Sequence, residues 1–438
     1  MQLPTPVRWS SLSDPEQTTL LQRPGHDAGT ERQGAVAEII AEVRARGDHA
    51  VAGFTQRFDG VTTGALRISA EVLEEAATCL SVDTRRALER AIANVGAFHQ
   101  AQRPPSIDME TTPGIRCQRQ WRPIQRVGLY VPGGTAPLCS TVIMLAVPAT
   151  LAGCPRRILC TPPRPDGSVD PTVLATAAMC GIEEVFAVGG AQAIAAMALG
   201  TETIPQVDKI FGPGNAYVTE AKTQVAQLPQ GPTIDLPAGP SEVLIIADDR
   251  ARPEVVAADL LSQAEHGADS QVILVSPETE LIEATRRAIK TQLQDLARND
   301  LAAAALTHAR FIVADDLDEA FTISNRYAPE HLSLQIADGA QRCEAVTAAG
   351  SVFIGPWSPV AAGDYASGTN HVLPTSGYAR GLSGLGLEDF MTRITFQELS
   401  RKGLIDLEPI LTALAGVEGL DAHAKSVTIR LATGEETP

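Results

Sequence analysis

Apolar positions recur along this chain with two periods that trade places. Val36, Ile39, Ile40 and Val43, and then Leu80, Leu88, Ile92 and Val95, fall at the three- and four-residue spacing of a helix face. Pro104 and Pro105 stop the second of these helices. From about Gln125 the texture changes to short apolar runs, RVGLYV, RRILCT, EVFAVGG and DKIFGPGN, separated by helical windows over Val142–Ala152, Val173–Cys180 and Ala191–Leu199. Alternation of this kind predicts a parallel sheet covered by crossover helices. A second series begins at SEVLIIAD and runs through a helix ending near Gly267, QVILVS, a helix around Leu281–Leu296, RFIVAD, HLSLQI and SVFIG.

The expected fold class is therefore α/β, with two doubly wound, Rossmann-like lobes, an N-terminal arm and a helical C-terminal tail. Residues 1–30 lack periodicity and read as an arm lying on another surface. The helices before Pro104 need a sheet, so residues 31–129 are grouped with 241–381 as an outer lobe, with 130–240 inserted into it. Past Gly355 lies a Gly- and Ser-rich loop too long for a simple connection, which marks it as functional. Residues 382–438 hold helical windows at Phe396–Lys402, Leu407–Leu414 and Leu420–Leu431, too few for an independent core, so the tail must dock elsewhere.

Composition narrows the class. A chain of 438 residues with 44% hydrophobic and 20% charged positions can bury large cores. Its net charge of −17 opposes general attraction to nucleic acid or anionic lipid. The start has no basic and apolar leader, and the longest apolar run, Val142–Cys154, is interrupted by Pro148, so neither secretion nor membrane insertion is expected. Seven scattered cysteines without a Cys-x-x-Cys pair suit reduced thiols in a cytoplasmic protein.

Candidate chemistry gathers in a few places. In LLSQAEHGADS, Gln263 and His266 are three residues apart and Asp259 lies four before Gln263, a polar ridge on a helix otherwise suited to burial, with Gly267 in the place of a C-cap glycine. A solvated helix end fits the same residues. YVPGG (Tyr130–Gly134), GGAQA (Gly189–Ala193) and FGPGNAYV (Phe211–Val218) follow apolar strands, where doubly wound sheets bind ligands and glycines let phosphate approach. Gly212 and Gly214 lack the third glycine of the dinucleotide fingerprint, so tight turns explain them equally. Pro329-Glu330-His331 sets an acid beside an imidazole. Neighbours on a strand face opposite ways, so a bend is required for both to serve one site. Asp364 and His371 lie in the Gly-rich loop, and Glu418 and His423 near the end, where a solvated helix face fits as well. Together these His, Asp, Glu and Gln residues suit a zinc-type metal.

RVGLYVPGGTAPL, VGGAQAIAA, DKIFGPGNAYV, DLPAGPSEVLIIAD, DLLSQAEHGADSQVIL, YAPEHL, AGSVFIGPWSP, AGDYASGTNHVLPT and GVEGLDAHAKSV closely resemble histidinol dehydrogenases, from about Ala35 to Arg430. The arm and the loop Pro162–Pro171 depart from the pattern. The resemblance implies oxidation of L-histidinol through L-histidinal to L-histidine, the final steps of histidine biosynthesis, with two NAD and one zinc ion per subunit. It implies Gln263, His266, Asp364 and His423 as zinc ligands; spacing alone does not favour Gln263 over Asp259. It implies that Ser241, His331, His371 and Glu418 join those ligands in holding substrate, that Tyr130, Gln192 and Asn215 contact NAD, and that Glu330 and His331 are the acid–base pair. It further implies a homodimer with active sites shared through the tail. No cysteine nucleophile is needed, which separates this reading from an aldehyde dehydrogenase. The alternative is a zinc-dependent hydrolase of α/β fold, or a non-catalytic metal-binding scaffold.

Overall fold

The computed structural model describes residues 3–24, 29–62, 64–133, 137–237 and 239–433. Five parallel strands stand in the order Glu184–Ala187, Arg156–Thr161, Arg126–Tyr130, Lys209–Phe211, Thr233–Ile234. The chain winds outward from Arg126–Tyr130 through two strands, then returns to the other side of that first strand. Its topological switch point lies between Arg126–Tyr130 and Lys209–Phe211.

A six-stranded parallel sheet repeats this winding, from Glu242–Ala247 to Gln271–Ser276 and Arg310–Val313, then back to His331–Gln335 and Ser351–Ile354. All six residues of Glu242–Ala247, and all six of Gln271–Ser276, are buried. Near-continuous apolar runs are what central parallel strands covered on both faces require. Two doubly wound lobes are thus present, as the alternation predicted. Among the described residues no helix is long and apolar enough to cross a membrane.

The pattern misled in three places. First, the arm does not merely lie on a surface: Val7–Arg8 pairs with Arg310–Val313 as a sixth strand, and Leu3, Trp9 and Leu21 enter the outer cores. A two-residue strand is too short to show any period. Second, the helices grouped with the outer lobe cover the five-stranded sheet instead. Val36, Ile39, Ile40 and Val43 of Gly29–Asp59 share a core with Ile194, Met197 and Val218, and Leu73, Leu88 and Val95 share one with Ile143, Leu145 and Leu174. Periodicity identifies the face that is buried, not the partner that buries it. Gly47, at φ 50°, kinks the long helix. Third, the tail is not wholly helical. Met391–Leu399 is a strand antiparallel to Ile115–Pro123, which in turn pairs with Ile107–Thr112. Helices Arg401–Glu418 and Asp421–Ala432 follow. Phe396, expected in a helix, sits in a stretch with Thr392, Ile394 and Thr395 whose β-branched side chains prefer a pleated surface.

The switch point of the five-stranded sheet is locked by a buried ion pair. Lys222 and Asp235 are 2% and 1% exposed and in contact. The ammonium also donates to the carbonyls of Gly212 (2.9 Å) and Leu236 (3.2 Å), while Asp235 accepts from the Gly212 N–H (2.7 Å). Removing one member strands the other charge. Lys222→Met should cost about 3–5 kcal/mol in denaturant unfolding, and Asp235→Leu added to it should recover part of that loss. A single variant within about 1 kcal/mol of the parent would show that the pair does not hold the loop.

Candidate active site

At the carboxyl edge of the five-stranded sheet lies a cavity of about 970 Å³ whose lining includes Tyr130, Gln192 and Asn215. Tyr130 ends its strand, and its buried hydroxyl accepts from the Gly190 N–H at 3.0 Å, with burial pushing the phenol's pKa well up. Asn215 caps helix Ala216–Ala226 by accepting from the N–H groups of Tyr217 and Val218 at 3.0 and 3.1 Å. Gln192, in the first turn of Gly190–Leu199, is 1% exposed, and neither of its amide atoms has a partner among the described residues. A buried amide with nothing to bond is costly unless a ligand satisfies it. Gly212 is required where it stands: φ is 123°, and a Cβ there would meet the Tyr130 carbonyl oxygen at 2.0 Å. Of the loop Tyr130–Gly134, Gly134 lies outside the described residues.

The second cluster sits at the opposite, amino edge of the six-stranded sheet. Glu330 and His331 are 7% and 4% exposed. The bend they need is made by Ala328, whose φ of 55° turns the chain before His331–Gln335 begins. Both side chains then close on one residue of the neighbouring strand: Glu330 accepts from the Glu242 N–H at 2.8 Å, and His331 Nδ1 lies 3.0 Å from the Glu242 carbonyl. That carbonyl makes Nδ1 the donor, so Nε2 is the free face of the ring. Nε2 is 3.6 Å from Asp364, an electrostatic contact too long for a hydrogen bond. Burial works against charge on His331, but Glu330 and Asp364 outweigh it and lift its pKa to about 10.

Asp364 belongs to the short helix Val360–Tyr365, which packs on Pro253–Ala264. Burial pushes its pKa up, but His331, His371 and His266 more than offset this and hold it below the ordinary value. His371 joins through Nδ1 to the Asp364 carbonyl (2.8 Å) and through Nε2 to Thr141 (3.3 Å), and burial lowers its pKa. Gln263 is 1% exposed with both amide atoms unpartnered among the described residues, a second orphaned amide. His266 lies beyond the helix end at Ala264 and is exposed. Gly267 is not the C-cap, since the cap is Glu265 in right-handed geometry and Gly267 has no positive φ. Ser241 precedes Glu242 and is half-buried.

Glu418 and His423 are not brought to this cluster; both are exposed on the tail. Among the described residues, no group of three or more His, Cys, Asp and Glu side chains of one chain is placed to hold a metal ion.

Comparison with known proteins decides the family. A family model described as histidinol dehydrogenase matches residues 21–431. Histidinol dehydrogenase of Vibrio vulnificus is 52% identical over 425 residues, 97% of this chain and 98% of the relative. The chain belongs to the histidinol dehydrogenase family. A crystal structure of histidinol dehydrogenase from Elizabethkingia anophelis, 46% identical, superposes with a TM-score of 0.92 over 96% of this chain and 97% of that one. The chain also matches, at 52% identity, 52% of the length of a histidine biosynthesis bifunctional protein of Photorhabdus laumondii. It is thus an oxidoreductase, which sets aside the hydrolase and scaffold alternatives.

Within this family fold, reading the sequence missed Glu242, Arg23 and Thr141. Glu242 had a signal: a carboxylate opening a strand otherwise wholly apolar must have a partner. Thr141 had none. Four of the cysteines are held as thiols by burial, which pushes up the pKa of Cys139, of Cys154 to about 11, of Cys180 to about 12 and of Cys160 further still.

Asp259, on the same ridge as Gln263, is 5% exposed, and burial lifts its pKa to about 6. A carboxyl raised above its unfolded value of 3.8 costs nothing below that pH and destabilises the fold progressively up to about 6, the penalty persisting above. Asp259→Asn should therefore stabilise the metal-free chain by about 1–3 kcal/mol at pH 8 and leave it unchanged at pH 3.5. Equal effects at both pH values would contradict the burial argument.

Proposed function

We propose that this chain oxidises L-histidinol through L-histidinal to L-histidine, the final steps of histidine biosynthesis, using two NAD and one zinc ion per subunit. The observation that carries the reading is the buried Glu330–His331 couple closed on the backbone of Glu242, an acid and an imidazole held ready for proton transfer in a family fold of matching activity. The unpartnered amides support the two accessory groups. Gln192 faces the cleft of about 970 Å³ with Tyr130 and Asn215, a fit for NAD, the hydride acceptor of each oxidation. Gln263, with His266 and Asp364, offers a mixed nitrogen and oxygen donor set suited to zinc. His423 from a second copy of the chain completes the set. When bound, the ion anchors and orients the substrate's imidazole and amine.

The chain's own groups then divide the work. His331, relieved of part of the field of Asp364, accepts the alcohol proton through Nε2 in the first oxidation. Glu330 draws a proton from water as it attacks histidinal while His331 returns its proton to the carbonyl oxygen, giving the hydrate, and His331 accepts a proton again as the hydrate is oxidised. Ser241, His371 and Glu418 contact substrate. The partner copy is a second identical chain, docked through the apolar residues left open on the tail: Ile405, Ile410, Leu414, Val417 and Ile429 are all exposed.

The direct test follows NADH absorbance with histidinol and with histidinal as separate substrates. Glu330→Gln should slow histidinal oxidation by roughly 10²–10⁴ while slowing the alcohol step less, and His331→Asn should damage both. Equal losses on the two substrates in Glu330→Gln would remove Glu330 from water activation.

A further inference from the structure

We propose that Arg23 of the N-terminal arm, acting through Glu242, is a positioning residue for the Glu330–His331 couple; the inference rests on the acid–base assignment above. Glu242 opens the central strand of the outer sheet with a side chain 2% exposed, a place where a lone carboxylate is strongly disfavoured. Arg23 answers it with a two-pronged contact, Nε to Oε1 at 2.5 Å and Nη2 to Oε2 at 2.9 Å, and the Ser376 N–H adds a third bond at 2.8 Å. The same guanidinium donates to the Tyr327 carbonyl at 2.9 Å and lies 3.9 Å above the Tyr327 ring.

These contacts grip both ends of one device. The Glu242 backbone holds Glu330 by its N–H and His331 by its carbonyl. Tyr327 ends the helix Leu317–Tyr327, and the residue after it, Ala328, makes the left-handed bend that brings Glu330 and His331 back to that backbone. Arg23 therefore ties the residue that pins the couple to the turn that delivers it. It also balances a carboxylate close enough to Glu330 for each to feel the other's charge. A planar fork suits this task better than a lysine, which offers a point charge without the second prong. Displacement of reacting groups by about 1 Å costs on the order of a hundredfold in rate, so a residue that never touches substrate can control turnover.

The experiment uses the full chain with its metal, carrying Arg23→Lys, Arg23→Met, or Arg23→Met with Glu242→Gln. Turnover of histidinol and histidinal is measured beside KM for each, NAD affinity by calorimetry, and circular dichroism. Arg23→Lys should lower kcat for both oxidations about tenfold and Arg23→Met about a hundredfold, with KM and NAD affinity within about twofold. The double variant should regain about tenfold over Arg23→Met, because the uncompensated carboxylate is gone. Wild-type kcat in the folded Arg23 variants overturns the proposal, as does a loss the double variant leaves untouched, which marks Arg23 as packing only. Should Arg23→Met fail to fold, Arg23→Lys decides alone by the same criterion. Glu330→Gln run in parallel separates the two layers: full histidinal oxidation there defeats the acid–base assignment and the positioning role with it. A slow Glu330→Gln beside fully active Arg23 variants defeats only the latter.

Discussion

The backbone of one residue, Glu242, bears the geometry of the proposed acid–base couple. Glu330 and His331 come from a strand start that would point them to opposite faces, and they meet only because both bond to Glu242 on the adjacent strand, in a register that sets His331 opposite Val243. That constraint fixes the end of the sheet the site must occupy. The parallel pairing of His331–Gln335 with Glu242–Ala247 puts both residues at the amino edge, away from the switch-point crevice that doubly wound sheets ordinarily use. The five-stranded lobe, wound the same way, keeps its cleft at the carboxyl edge. The helix Cys139–Ala152 joins the two regions: Leu138 before it lines the cleft, and Thr141 in its first turn touches His371.

What the sequence disclosed follows from which signals are local. Every strand of the two parallel sheets except Val7–Arg8 and the short Thr233–Ile234 showed as an apolar run, because burial on both faces leaves a continuous trace. The antiparallel ribbon of 107–123 and 391–399 left no comparable trace, since most of its residues face solvent. The pairing of Gly29–Asp59 with Gly190–Leu199 was equally hidden, being a matter of tertiary partners. At the site, Pro329-Glu330-His331 was visible as chemistry and its need for a bend followed from strand geometry. The device supplying the bend, an alanine at φ 55° held near an arginine three hundred residues away in sequence, left no mark in any short window. Likewise Gln263 is not separated from Asp259 by sequence, and in the fold both keep buried polar atoms without partners among the described residues, two on the Gln263 amide and one on the Asp259 carboxylate.

The same structure leaves the tail with unmet needs. Val417 is 87% exposed, with Ile410 at 55% and Leu414 at 58%, on the helix that ends in Glu418. Such a contiguous apolar surface on a segment with little core of its own calls for a partner. In the proposed dimer, two-fold pairing of identical chains would cover the tail and carry His423 and Glu418 to the other chain's Gln263, His266 and Asp364.

Complementation of inactive chains tests the proposed sharing most directly. His266→Asn and His423→Asn chains, each inactive alone, are unfolded together, refolded in equal amounts and assayed for NADH production from histidinol. With the tail acting in trans, a mixed dimer has one site carrying both defects and one carrying neither, so random pairing should restore about a quarter of wild-type activity. Continued inactivity in a mixture shown to contain mixed dimers would contradict the shared site.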